Sequence, residues 1–153
     1  MRHVLLPTLA LCTALLASAP AQAQAARYEI DPDHLTVAFL VDHIGYAKVL
    51  GMFRSARGSY RFDEATATLS DVRIEVETAS VFSNQRKRDD HLKGPDFLNS
   101  GEFPRMVFTA AGAKRTGERT FDITGELEVL GKKQPLTLSF AIDFRFLHRA
   151  PST

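Results

Sequence analysis

The sequence predicts an all-β fold of antiparallel strands with one short helix. Apolar and polar residues alternate with period two along most of the chain, as in strands that bury one face and solvate the other. Glycine and polar clusters separate the alternating runs at short intervals, which is typical of hairpin connections. Since only one stretch lacks this period, we expect a single sandwich or barrel.

The apolar side of the predicted strands is rich in phenylalanine. A first run ends at His43, and a second stretch, residues 49–62, carries Gly51 and Gly58 as bends or bulges. In a closed sheet the alternating apolar positions point inward, where they either line a ligand cavity or fill a core. The candidate lining residues are Val37, Phe39, Val41, Phe53, Phe62, Ile74, Phe108, Leu127, Leu138, Phe140 and Ile142.

The helix is predicted over residues 83–92, where Ser83 can cap the first turn. Arg88 and His91 are three residues apart and therefore lie on the same side of this helix. We interpret Arg88, Asp89 and His91 as a structural network that fixes the helix across one barrel end, because a buried charge needs a partner. A second interpretation places Arg88 or His91 against a ligand headgroup at the mouth of the barrel.

Residues 1–25 are interpreted as a secretory signal peptide, in which Arg2 precedes an apolar run too short for a membrane span. Alternating small residues place cleavage after Ala23 or Ala25, and we take Ala25. The mature domain then spans residues 26–153, is located in the periplasm and is not stably inserted in the membrane. Cleavage removes one of the 19 basic residues and none of the 18 acidic ones, so the mature chain is neutral. A nucleic-acid partner is therefore not expected.

The mature chain lacks a thiol and the common motifs of enzyme active sites. Cys12 lies in the signal peptide, and neither a Gly-x-Ser-x-Gly elbow nor a phosphate-binding loop occurs. His34, His43 and His91 each follow an aspartate, but further ligands at metal-binding spacing are lacking. We therefore expect no enzyme activity, no metal and no cofactor.

The stretch that lacks the β period also carries the most specific motif. It is preceded by Tyr28-Glu29-Ile30-Asp31 and His43-Ile44-Gly45, and it continues with Arg88-Asp89-Asp90-His91-Leu92, Asp96-Phe97 and Phe103-Pro104. In this order the motifs resemble the YceI-like family. The resemblance implies a periplasmic, lipocalin-like antiparallel β-barrel that encloses an isoprenoid lipid, such as a quinone tail or a polyprenyl chain. It implies a carrier or store and no established enzymatic activity.

The same resemblance sets an expectation for the C-terminal end. Family members continue for several dozen residues past the position of Phe144, whereas this sequence ends at Thr153. We therefore expect a shortened barrel that lacks its last strands, with open edges that need a cover. An alternative function follows from that need: a non-enzymatic interaction or stress-related module whose apolar face is buried in a homodimer or in a partner complex.

Overall fold

Antiparallel strands and one helix make up residues 25–141, the part of the chain that this computed structural model describes. The strands are β1 (Ala26–Ile30), β2 (Val37–His43), β3 (Ala47–Phe53), β4 (Ala56–Asp63), β5 (Thr68–Glu77), β6 (Val81–Phe82), β7 (Arg105–Arg115), β8 (Thr120–Val129) and β9 (Lys132–Ala141). A 3-10 turn (Thr78–Ser80) precedes β6, and helix α1 (Arg86–Lys93) follows it. The predicted all-β fold with one helix is confirmed. Ile142 lies outside the described residues.

Six strands form one sheet in the order β1-β4-β5-β7-β8-β9, and β2, β3 and β6 form a second sheet. The edge strands β1 and β9 of the larger sheet do not pair with each other, so the sheets of residues 25–141 are not closed into a barrel. Side chains of both edge strands nevertheless line one cavity, which requires the sheet to curve strongly. None of the helices in residues 25–141 is long and apolar enough to cross a membrane.

The core lies on the concave face of the six-stranded sheet. Ile74, Phe108 and Leu127 are partners across β5, β7 and β8, so their side chains form one row on this face. The buried members of the core cluster are Phe62, Leu69, Phe108, Ala110 and Ile123. They come from four strands, β4, β5, β7 and β8, and therefore tie the centre of the sheet together.

A β-bulge in β5 determines which residues face this core. Ser59 pairs with Arg73, but Arg61 pairs with Ser70, so β5 has one residue more than β4 at this point. Asp71 takes the left-handed conformation with φ 49°. As a result Leu69 and Val72, which are three positions apart, both reach the cavity, although a regular strand would turn them to opposite faces.

Helix α1 begins later than the predicted residues 83–92. Its N-cap is Gln85, whose side-chain oxygen accepts the backbone N–H of Arg88 at 2.5 Å. The prediction that Ser83 caps the helix is wrong, because the backbone N–H and the hydroxyl of Ser83 both donate to Asp89.

Replacing Gly125 by alanine should destabilise the sheet. A Cβ at this position would lie 2.2 Å from the backbone oxygen of Thr109 and 2.9 Å from Cζ of Phe108. Since a backbone atom of the neighbouring strand cannot yield as a flexible side chain can, we expect a loss of about 2 kcal/mol in the free energy of unfolding. Urea denaturation measures this loss. The matched change Gly101→Ala, where nothing lies within 4 Å of the new Cβ, should cost clearly less.

Candidate functional site: an apolar cavity in the curved sheet

The concave face of the six-stranded sheet lines a half-open apolar cavity of about 360 Å³. Every strand of that sheet contributes to its wall. The lining residues are Tyr28, Ile30, Tyr60, Phe62, Leu69, Val72, Ile74, Phe108, Ile123, Leu138 and Phe140. A cavity of this size falls within the range of pockets that take small ligands, and its lining is hydrocarbon apart from two tyrosine hydroxyls.

Strand pairing brings the lining residues together. Phe62 is opposite Leu69 on β4 and β5, and Ile123 is opposite Leu138 on β8 and β9. Phe140 stacks on Phe121, with ring centroids 5.5 Å apart. The wall is thus built from side chains on regular strands, whose positions are fixed by backbone hydrogen bonds on both sides except at the edges.

Two tyrosines stand together in the wall where β1 meets β4. Tyr28 and Tyr60 are register partners, and their rings stack with centroids 5.4 Å apart. The hydroxyl of Tyr28 donates a hydrogen bond of 3.3 Å to Glu64. Partial desolvation, followed by the charge of Glu64, raises the pKa of the Tyr28 phenol above its ordinary value. The phenol therefore stays a neutral hydrogen-bonding group at the pH of the periplasm or of the cytoplasm.

The structure brings five of the predicted lining residues into this one wall. They are Phe62, Ile74, Phe108, Leu138 and Phe140. Leu127 packs against the core cluster beside the cavity without lining it. Ile142, another predicted lining residue, is outside the described part of the chain.

The remaining predicted lining residues, Val37, Phe39, Val41 and Phe53, lie in the second sheet and do not line the cavity. Phe39 and Phe53 contact each other there, with ring centroids 5.6 Å apart. The ring of Phe39 also covers Gly51 of β3, where any Cβ would be 2.2 Å from the Phe39 Cζ. Within residues 25–141 β2 pairs only with β3, so these four residues belong to the β2–β3 hairpin and not to the larger sheet.

Six wall residues were not among the predicted ones: Tyr28, Ile30, Tyr60, Leu69, Val72 and Ile123. For two pairs the signal was present in the sequence. Tyr28 and Ile30 are two positions apart, as are Tyr60 and Phe62, so each pair shares a strand face. Leu69 could not be assigned from alternation, since the bulge at Asp71 reverses the face.

Two of the three residues in the predicted helix network meet at Ser83, and the cavity wall contains none of the three. The carboxylate of Asp89 accepts the backbone N–H of Ser83 at 2.8 Å and its hydroxyl at 2.5 Å. Nε of Arg88 donates to the same hydroxyl at 2.7 Å, and a second guanidinium nitrogen donates to the Ser83 carbonyl. Asp89 is 7% exposed, so the network is buried. It joins α1 to Ser83, the residue that directly follows β6.

His91 takes no part in that network. Its Nε2 is 3.4 Å from the Asp96 carboxylate, and its ring meets Phe97 edge to face at 4.9 Å. The His91 side chain is 63% exposed, in the last turn of α1. The spacing of three residues between Arg88 and His91 was therefore not enough to place the two side chains against a common partner.

Replacing Asp89 by alanine should lower the free energy of unfolding by about 3 kcal/mol. The change leaves two donors of Ser83 without an acceptor in a buried place and removes the carboxylate beside Arg88. Thermal or urea denaturation measures the loss. The control Arg86→Ala, on the exposed side of α1 where Arg86 is 95% exposed, should stay within about 0.5 kcal/mol of the parent. Equal effects of the two changes would contradict the buried role of Asp89.

The outer face of the larger sheet is polar. Arg57 and Arg73 both donate to the carboxylate of Glu75, and Arg27 donates to Ser59 at 3.0 Å. The Arg73 hydrogen bond, with a further contribution from Arg57, lowers the pKa of Glu75 below its usual value. This face carries the charges that the cavity wall lacks. Within residues 25–141, no three His, Cys, Asp or Glu side chains come together as metal ligands.

A strongly curved antiparallel sheet with an apolar cavity on its concave face defines the fold class of this chain. The YceI-like domain model matches residues 28–149, and the chain belongs to this family. It is 43% identical over 136 residues to a UPF0312 protein of Azotobacter vinelandii, covering 88% of this chain and 70% of the relative. A UPF0312 protein of Pseudomonas savastanoi pv. phaseolicola is 39% identical over 135 residues, with 87% and 69% coverage.

Solved structures show the same fold. The crystal structure of Burkholderia cenocepacia BcnA matches with a TM-score of 0.66 at 21% identity, over 72% of this chain and 69% of that one. The Campylobacter jejuni YCEI protein matches with a TM-score of 0.59 at 28% identity, over 73% of this chain and 66% of that one. The chain thus spans about two thirds of the length of these proteins.

Proposed function

We propose that this protein binds the tail of a long isoprenoid lipid in the cavity of its six-stranded sheet, as a periplasmic carrier or store, without catalysing a reaction. The observation that carries the proposal is the cavity itself. Six strands supply a wall of aliphatic and aromatic side chains around about 360 Å³. Such a wall stabilises a bound hydrocarbon ligand and offers almost no hydrogen bonds to a polar ligand.

The energetics favour a long hydrocarbon chain. Each methylene-sized unit that leaves water for an apolar site gains about 0.8 kcal/mol. A few isoprene units in the cavity therefore give substantial affinity without any contact to the headgroup. Within residues 25–141 the edges β1 and β9 are unpaired and leave the sheet open on one side, so a tail longer than the cavity has a way out.

Uptake of quinones with different tails tests the proposal. Protein stripped of bound lipid is titrated with quinones that carry from one to ten isoprene units, and binding is followed by equilibrium dialysis. We expect affinity to rise with each of the first few units and then to level off as the cavity fills. A change of headgroup at constant tail length should have little effect. Equal affinity for all tail lengths would exclude the cavity as the binding site.

Exposed side chains favour a second candidate, the interaction module. On the β2–β3 hairpin Leu40, Val41 and Leu50 are 63%, 54% and 58% exposed, which leaves apolar surface that a second copy or a partner chain can cover. Light scattering after gel filtration separates the candidates. A stable dimer without lipid supports the module, and a monomer loaded with lipid supports the carrier.

A further inference from the structure

We propose that the apex of the β2–β3 hairpin, residues 44–46, inserts into the surface of a phospholipid bilayer. The apex carries two large side chains that the described part of the chain leaves in water: Ile44 is 77% exposed and Tyr46 is 93% exposed. A Cβ added to Gly45, which lies between them, would have no neighbouring atom within 4 Å. The inference goes beyond lipid-tail binding and does not depend on it.

The backbone conformation at the apex disfavours a residue of the type of Ile44. The N–H of Tyr46 donates to the carbonyl of His43 at 3.1 Å, and Ile44 and Gly45 both have positive φ, of 52° and 74°. A turn of this type favours asparagine, aspartate or glycine at its first central position, and a β-branched residue there is strained. The chain thus holds a large apolar side chain in water at a position where a small polar one would be more stable.

The chemistry of the neighbouring residues selects a bilayer as the occupant. Tyrosine is a residue type that collects at membrane interfaces, with its ring in the apolar layer and its hydroxyl toward water. Asp42 and Lys48 form an ion pair of 2.8 Å, and each lies three residues from Gly45, at most about 10 Å away at about 3.3 Å per residue. When the apex is buried by about 5–10 Å, this pair lies among the charged headgroups, which supply partners for both of its charges.

The shape of the apex argues in the same direction. It is a convex tip at the end of a two-stranded ribbon, since among the described strands β2 pairs with β3 alone. A protein partner would need a matching pocket for two side chains that point away from a narrow turn, whereas a fluid bilayer needs none. The second register pair behind the apex, Asp42 with Lys48, has no net charge, so we expect binding that depends little on salt.

A single tryptophan at the apex provides a local test. The sequence has no tryptophan, so the emission of the variant Tyr46→Trp reports on this position alone. Protein purified as the cell produces it is mixed with phosphatidylcholine vesicles that contain no isoprenoid lipid. We expect the emission to move to shorter wavelength and to be quenched by brominated acyl chains. The matched variant Leu130→Trp, at the β8–β9 turn, should show neither effect. If vesicles leave the emission of the Tyr46→Trp variant unchanged, the proposal is overturned.

A polar exchange at the same turn position provides the second arm. Adding Ile44→Asn to the Tyr46→Trp protein should lower the vesicle partition coefficient about tenfold, because an apolar side chain is lost from the inserted apex. The matched Leu130→Asn change replaces another large residue of positive φ, 52°, and should leave partitioning unchanged. Both asparagine variants should melt no lower than their parent, since asparagine relieves the strain. An unchanged partition coefficient for Ile44→Asn overturns the proposal.

Two further results count against it. Loss of vesicle binding at 0.5 M salt would assign the binding to charged side chains elsewhere on the surface. An emission shift that follows protein concentration without vesicles would assign the apex to a second copy of the chain. Failure of isoprenoid uptake leaves this proposal standing, because the vesicles lack isoprenoid lipid, and failure of vesicle insertion leaves the cavity proposal standing.

Discussion

Replacing Leu138 by aspartate should abolish binding of isoprenoid tails while the protein remains folded. Leu138 lines the cavity from the edge strand β9, and at 40% exposure its carboxylate variant can stay hydrated in the empty protein. A hydrocarbon tail in the cavity would cover that charge without offering it a partner. We expect affinity for a long-tailed quinone to fall about 100-fold or more.

Thr137→Asp is the matched control. Thr137 lies on the face of β9 opposite to Leu138, where its hydroxyl is 2.9 Å from that of Thr124. The new carboxylate then points to water and should change quinone affinity less than about threefold. Circular dichroism and the melting temperature verify that both variants fold. Full quinone binding by a folded Leu138→Asp protein would contradict the assignment of the cavity as the ligand site.

Replacing Phe108 by aspartate should prevent folding. Phe108 is 5% exposed at the centre of the core cluster, in a row with Ile74 and Leu127, and none of these neighbours can pair with a carboxylate. Burying the charge costs more than about 5 kcal/mol, which is comparable with the whole stability of a domain of this size. Expression yield, circular dichroism and urea denaturation measure the result.

Phe108→Leu provides the comparison for that experiment. It keeps an apolar side chain at the position and should cost only about 1–2 kcal/mol. If the aspartate variant were as stable as the leucine variant, Phe108 would have access to water, and the packing described for the core would be wrong.

Local alternation was sufficient to predict the fold class and part of the wall. Ile74, Phe108, Leu138 and Phe140 were found because they lie on regular stretches of strand with a polar opposite face. Alternation identifies the apolar face of a strand and contains no information on the sheet to which the strand belongs. Phe39 shows the consequence, since its strand has the same pattern but belongs to the second sheet.

The helix network shows a second limit of sequence reasoning. Spacing along a helix predicted that Arg88 and His91 share a side, but the partner of Arg88 is Ser83, which lies before the helix. A partner outside the element depends on the path of the chain into it. The left-handed conformation of Asn84, with φ 60°, turns the chain between Ser83 and α1, and residue spacing gives no indication of that turn.

The central claim is that the curved sheet holds an isoprenoid tail, and lipid extraction tests it most directly. Protein purified without detergent is extracted with organic solvent, and the extract is analysed by mass spectrometry against a Leu138→Asp preparation. We predict a prenyl lipid in the extract of the parent and its absence from the variant. A folded parent protein that yields no prenyl lipid and takes up no added long-tailed quinone would contradict the account.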